Sequence, residues 1–152
     1  MKKILIASDH AGFELKQQLI KDNPQLPWED LGPSDTTSVD YPDFAKKLCD
    51  KLISLTGPAS VTDDAFNTGI CGILICGSGQ GMAIKANKYP QIRAALCWNE
   101  DIAKLSRQHN NANVLCMGSR AISPVEAQKV LNAFLGSAFE GGRHSQRVAK
   151  LC

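Results

Sequence analysis

The chain has 152 residues, 43% hydrophobic and 21% charged, with a formal net charge of +2. That length and balance suit one globular domain with its own core. The small net charge supplies no global field for nucleic acid, and no apolar run approaches the ~20 residues of a membrane span. The N-terminal apolar stretch is too short for a secretory signal, so the expected setting is the cytoplasm. Basic residues gather locally near the end, at Arg143, His144, Arg147 and Lys150.

Residues 2–8 (KKILIAS) read as a buried strand, followed by the turn DHAG. Residues 13–22 carry an apolar stripe at 13, 15, 19 and 20, which predicts a helix. WEDLG is a short strand. Residues 42–53 open on proline and keep a helical period. Residues 56–69 (TGPASVTDDAFNTG) have no period and read as a surface excursion. ICGILIC is a central strand, and GMAIKANKY a helix launched from glycines. Residues 92–97 (IRAALC) form a strand. NEDIAKLSRQHN is a helix with Asn99 as its N-cap, and NVLCMG a strand. SPVEAQKVLNAFL is a helix capped by Ser123, with Gly136 expected just past its end. Residues 140–152 are expected to close the chain as a short basic helix.

Strands thus alternate with helices five times, and the apolar runs lack a period of two. This predicts one α/β domain over residues 1–152: a doubly wound, five-stranded parallel sheet covered on both faces. The commonest strand order for such a sheet, 2-1-3-4-5, is the expectation.

In these sheets ligands bind outside the carboxyl ends of strands, where the winding direction reverses. Strands one and three would flank that point, which brings the loops SDHAG and CGSGQG together. In the second loop, Gly77, Gly79 and Gly81 allow a close approach of backbone amides to an anion. The spacing is GxGxG, a poor match to a dinucleotide fingerprint, and there is no Walker lysine. An oxyanion site beside a thiol remains. Amide donors favour a thiolate at Cys76, able to act as nucleophile or base. A buried strand-end cysteine beside a structural turn is the competing account. The same holds for Asp9 as a turn residue, His10 as a loop histidine and His109 at a helix end. Arg143 and Arg147 would share a helical face and could grip one anion, or simply be solvated. Arg120 follows the fifth strand toward the ligand edge. The six cysteines form no CxxC pair and no Cys/His set with zinc spacing, so no metal site is expected.

Six stretches in order (SDHAG, DYPDFA, GILICGSGQG, ANK, LSRQHNNANVLCMGSR and EGGRHSQR) resemble the type B ribose-5-phosphate isomerases. The wider family includes galactose-6-phosphate isomerase subunits. The resemblance implies a flavodoxin-like fold and an aldose–ketose isomerase with no metal and no cofactor. It makes Cys76 the catalytic base and Ser78 its assistant at the substrate oxygens. Asp9 and His109 match ring-opening residues, and His10, Arg120, Arg143 and Arg147 match phosphate contacts. Asn110 matches a sugar-binding position, and Tyr41 a pocket wall. A homodimer, or a dimer of dimers, with sites built from two chains is implied, with a phosphorylated sugar as the ligand. The substrate is either ribose 5-phosphate or a six-carbon sugar phosphate such as allose or galactose 6-phosphate. A flavin- or nucleotide-binding module of the same fold is the reading from another class. The excursion over 56–69 is the clearest departure from the family pattern.

Overall fold

A computed structural model describes residues 1–57 and 63–151. In chain order it contains β1 (Lys3–Ser8), α1 (Phe13–Asp22), β2 (Trp28–Asp30), α2 (Tyr41–Thr56) and a 3-10 helix (Ala65–Thr68). Then come β3 (Ile70–Cys76), α3 (Gln80–Ala86), β4 (Ala94–Leu96), α4 (Glu100–Asn110), β5 (Val114–Gly118), α5 (Pro124–Gly136) and α6 (Arg143–Val148). All strand pairs are parallel.

The strand order is β2-β1-β3-β5-β4, so the expected 2-1-3-4-5 is corrected in its last two strands. β5 takes the place beside β3, and the three-residue β4 becomes the edge. An edge suits β4, since its three residues are only half-buried while β5 is buried throughout. Asn87, just past α3, bonds both backbone groups of Ala94 through its side-chain amide, so a polar side chain covers part of that edge.

Each central strand is apolar without a break because each face carries helices. Ile4, Ile6, Ile73, Ile75, Leu115 and Met117 pack on one face against Leu15 and Leu19 of α1, Ala103 of α4 and Val130, Leu131 and Phe134 of α5. Leu5, Ala7, Leu74, Cys76, Val114 and Cys116 point to the other face, against Leu48 and Leu52 of α2 and Met82 of α3. The helix after β3 therefore lies on the opposite face from the helices after both its neighbours, β1 and β5. The chain leaves β3 in one direction and leaves β1 and β5 in the other. A crevice opens where they part, at the carboxyl end of β3.

The caps expected at Asn99 and Ser123 are present, accepting from Ile102 N–H at 2.9 Å and Glu126 N–H at 3.2 Å. Gly136 does not lie past the end of α5. It is the last helical residue, and the carbonyl of the next, Ser137, is taken by the Arg107 side chain. α6 covers only six of the residues expected to be helical, because Gly141 and Gly142 adopt left-handed φ of 66° and 54° and delay its start. Part of the excursion, residues 58–62, lies outside the described residues, as does Cys152.

Candidate functional site

Three loops meet at the carboxyl end of β3. From β1, Asp9 N–H donates to Ile75 O at 3.1 Å, and Asp9 Oδ1 accepts from Gly12 N–H at 2.9 Å. The turn role thus belongs to Asp9, yet its side chain also faces the crevice. From β5, Ser119 N–H donates to Cys76 O and Arg120 N–H to Gly77 O, at 2.9 and 3.0 Å. Ser119 Oγ reaches across to Ala11 O at 2.8 Å, tying the outer loops together. The corrected strand order matters here. Cys76 pairs in register with Gly118, so Arg120 is delivered to the site and its guanidinium lies over Gly77.

A cleft of about 590 Å³ results, lined by Asp9, Tyr41, Cys76, Gly77, Ser78, Gly81, Ile84, Arg120 and Ala121. Cys76 sits at its base, 4% exposed, and its Sγ accepts the Gly79 N–H at 3.1 Å. Gln80 N–H donates to Ser78 Oγ at 3.3 Å. These two amides of the turn therefore serve the thiol and the hydroxyl, where the sequence suggests donors held open for an oxyanion. The glycines also have packing reasons. Gly79 has φ of 77°, and a Cβ there would come within 2.4 Å of the Leu96 side chain. A Cβ on Gly81 would strike the Tyr41 ring at 2.5 Å, so the absent side chain is what seats Tyr41 as the cleft wall.

Cys76 differs from the other described cysteines. Burial pushes the thiols of Cys49 and Cys71 up to about 12 and that of Cys97 to about 11, and Cys116 also well above the ordinary range. Those four are thiols at neutral pH, packed as small apolar groups. Cys76 alone among them lines the crevice and has a backbone donor at sulfur.

The remaining expected residues stand elsewhere. α4 begins at the carboxyl edge of the sheet and ends at the amino edge, where it feeds β5. His109 and Asn110 occupy its last turn, and α6 packs against this helix. The His109 and His144 rings stack at 4.3 Å, inclined by 6°. Both Nε2 atoms face Glu140 Oε2, at 3.8 and 3.7 Å. Burial, with His109 and Arg143 nearby, holds His144 below the usual imidazole range. Arg143 and Arg147 are exposed one turn apart on α6, as their spacing predicts. His109, Glu140 and His144 place three ligand atoms within 4.8 Å of one another. The near-parallel rings put their lone pairs in separate planes, so the arrangement as it stands does not converge on a metal.

His10 is at the carboxyl edge but outside the cleft lining, with Nδ1 accepting from Val39 N–H at 3.3 Å. Asn110 is exposed and borders a separate groove of about 600 Å³ beside β4. That groove is lined by no thiol, carboxylate or histidine among the described residues, whereas the Cys76 cleft holds a thiol and a carboxylate. The structure thus joins Cys76, Ser78, Asp9, Tyr41, Gly77, Gly81 and Arg120 in one place, with Gly79 directly beneath. It leaves His109, Asn110, Arg143 and Arg147 in a second. Sequence reasoning missed Ile84 and Ala121 on the cleft wall and Glu140 between the histidines. The only signal for Glu140 is its four-residue spacing from His144.

The ribose/galactose isomerase family profile matches residues 4–151. The chain is 40% identical to ribose-5-phosphate isomerase B of Escherichia coli (strain K12), over 97% of this chain and 93% of that one. It is similar to the crystal structure of a ribose 5-phosphate isomerase from Thermotoga maritima, with a TM-score of 0.86 and 43% identity, covering 98% and 96% of the two chains. A third likeness is to ribose-5-phosphate isomerase B of Mycoplasma genitalium, solved with bound ribulose-5-phosphate. There the TM-score is 0.83 and the identity 41%, over 98% of this chain and 93% of that one.

Proposed function

Because the chain belongs to the ribose/galactose isomerase family, and is on that ground a sugar phosphate isomerase, we propose that it interconverts ribose 5-phosphate and ribulose 5-phosphate through a cis-enediolate. The observation that carries this reading is the Cys76 thiol at the base of the cleft, with the Gly79 amide at its sulfur. The ribulose 5-phosphate bound by the Mycoplasma genitalium relative supports the five-carbon choice.

The chemistry follows from the placement. The open-chain aldose carries its carbonyl at C1 and a hydroxyl at C2. The Cys76 thiolate takes the C2 proton, and negative charge builds on the C1 oxygen. The Gly79 N–H holds the sulfur in place at the base of the cleft. The thiol then returns its proton to C1, while the C2 hydroxyl proton moves to the C1 oxygen. Ser78, exposed beside Cys76, relays that second proton. The Arg120 guanidinium over Gly77 faces the developing charge or the phosphate. A base so positioned contributes about 100- to 10,000-fold. Neither transfer calls on a metal, so activity is expected to persist in EDTA.

One chain supplies only part of what the substrate needs. His109, Asn110, Arg143 and Arg147 stand at the opposite edge of the sheet from Cys76. The homodimer implied by the resemblance accounts for this. Each cleft takes Cys76, Ser78, Asp9 and Tyr41 from one protomer, with His109 for ring opening and the two arginines for the phosphate from its partner. Holding the remote phosphate orients the reacting carbon over the thiol.

A coupled assay of purified protein in EDTA, with ribose 5-phosphate beside allose 6-phosphate and galactose 6-phosphate, tests the assignment. Turnover of ribose 5-phosphate with the highest kcat/KM is expected. A clear preference for either six-carbon substrate would overturn the five-carbon reading.

A further inference from the structure

Within the 56–69 excursion lies an acidic residue, Asp64, with three partners. Asp64 Oδ1 accepts from Phe66 N–H at 2.8 Å and pairs with the Arg107 guanidinium. Its Oδ2 accepts from Phe139 N–H at 2.8 Å. The three donors belong to the 3-10 helix, to α4 and to the segment that leads into α6. Arg107 is fully buried and continues the same connection. Its Nε donates to Ser137 O at 3.3 Å, and its Nη1 to Ala112 O at 2.5 Å and Asn111 Oδ1 at 3.2 Å. Its guanidinium lies 3.5 Å from the Phe66 ring centroid. Asn111 closes the loop back to the excursion, accepting from Ala65 N–H and donating to Asp63 O, at 2.8 and 2.7 Å.

Arg107 is two residues before His109, and Phe139 four before Arg143. Between them Glu140 N–H donates to Gln108 O at 3.0 Å. We propose that Asp64 is a positioning residue that fixes α6 against α4, so that Arg143 and Arg147 present one phosphate-binding surface. The proposal deepens the reading above and rests on it, since it assumes that Arg143 and Arg147 hold the sugar phosphate. A carboxylate suits the task because its two oxygens can hold a helix and a separate segment at once, and two short bonds to a charged acceptor leave little play. Burial alone would push the Asp64 carboxyl up. The Phe139 and Phe66 amides and Arg107 outweigh it and hold the group below the usual carboxylate range.

The test compares Asp64→Asn and Asp64→Glu with Arg147→Ala, measuring kcat, KM for ribose 5-phosphate and inhibition by inorganic phosphate. Asp64→Asn removes the anion, and its amide nitrogen cannot accept from Phe139. Asp64→Glu keeps a partner for buried Arg107 while displacing the tail, so it covers the case in which the asparagine variant fails to fold. The expected result is a rise of about tenfold in both KM and the phosphate inhibition constant, with kcat within about twofold. Exchange of the amides over 139–148 should quicken while those of β1 and β3 hold. Added to Arg147→Ala, either change should have little further effect on phosphate inhibition, because the surface it positions is already broken. Normal KM and phosphate inhibition in a folded Asp64 variant, with Arg147→Ala impaired in both, would overturn the positioning role alone. If Arg147→Ala also left both unchanged, the phosphate assignment would fall and this inference with it.

Discussion

Cys76→Ala and His109→Asn proteins, mixed, unfolded and refolded together, should regain activity that neither has alone. The reason is a distance within the chain. Cys76 is level with Gly118 at the carboxyl end of β5, while the last turn of α4 lies near Val114 at its start. Four strand steps separate those levels, about 13 Å along the strand direction. α4 itself has 11 residues and runs about 16 Å between the two edges. Proton transfer needs a group within about 3 Å of its target, or one water away. If Cys76 and His109 act on one sugar, as proposed, they therefore come from two chains. With random pairing in a two-fold dimer, about half the dimers carry one chain of each kind. Each such dimer has one site with both lesions and one with neither, so roughly a quarter of all sites should be intact. The assay is ribose 5-phosphate turnover relative to wild type refolded alongside, with exchange verified by a mass tag on one variant. Activity no higher than the sum of the two parents, in dimers shown to have exchanged, would refute the shared site.

Cys76→Ala alone should lower kcat by about 100- to 10,000-fold with little change in KM. Iodoacetamide should label Cys76 ahead of the four deeply buried cysteines, and ribose 5-phosphate should slow that labelling; equal rates with and without substrate would place Cys76 outside the pocket. A third expectation concerns pH. His144 is held below its ordinary value, about 6.5, so the unfolded chain binds this proton more readily than the folded one. Its neutral form favours the fold fully above about pH 6.5, and that contribution is lost as the pH falls through 6.5 toward the lower folded value. The thermal midpoint should decline on acidification below about 6.5, with a smaller decline in His144→Phe. An identical profile in that variant would remove His144 as the cause.

Local features of the fold were legible in the sequence because they depend on near neighbours. The bounds of α1, the caps at Asn99 and Ser123, and the strand ending on Cys76 each follow from residues within one or two turns. Strand order was not legible. IRAALC and NVLCMG are both apolar, and nothing in either run marks which will be covered on both sides. α5 runs one residue past its expected end, and the carbonyl that follows it, on Ser137, is taken by Arg107, 30 positions away. The links of Asp64 to Arg107 and Phe139 span 43 and 75 residues. Such pairs leave no periodic trace, and a loop with no period reads simply as surface. Most residues of the candidate site were named from sequence, Ile84, Ala121 and Glu140 excepted, but their division between two edges of the sheet follows only from the direction of α4.

That division has a physical logic. The chain leaves β3 toward one face and leaves both its neighbours toward the other, so the crevice opens just beyond the carboxyl end of β3. Its floor suits a small reacting group, a single buried thiol with one amide at sulfur. A phosphate brings up to two negative charges and needs several cationic donors. Guanidinium groups crowded around Cys76 would repel one another and over-stabilise the thiolate, weakening it as a base. On the proposed reading, mounting Arg143 and Arg147 on a separate helix keeps the phosphate clamp away from the base. The cost is that the clamp's geometry is set far from the reacting carbon. Its precision then depends on how firmly α6 is tied to α4, which is the connection that Asp64 and Arg107 make through the interior.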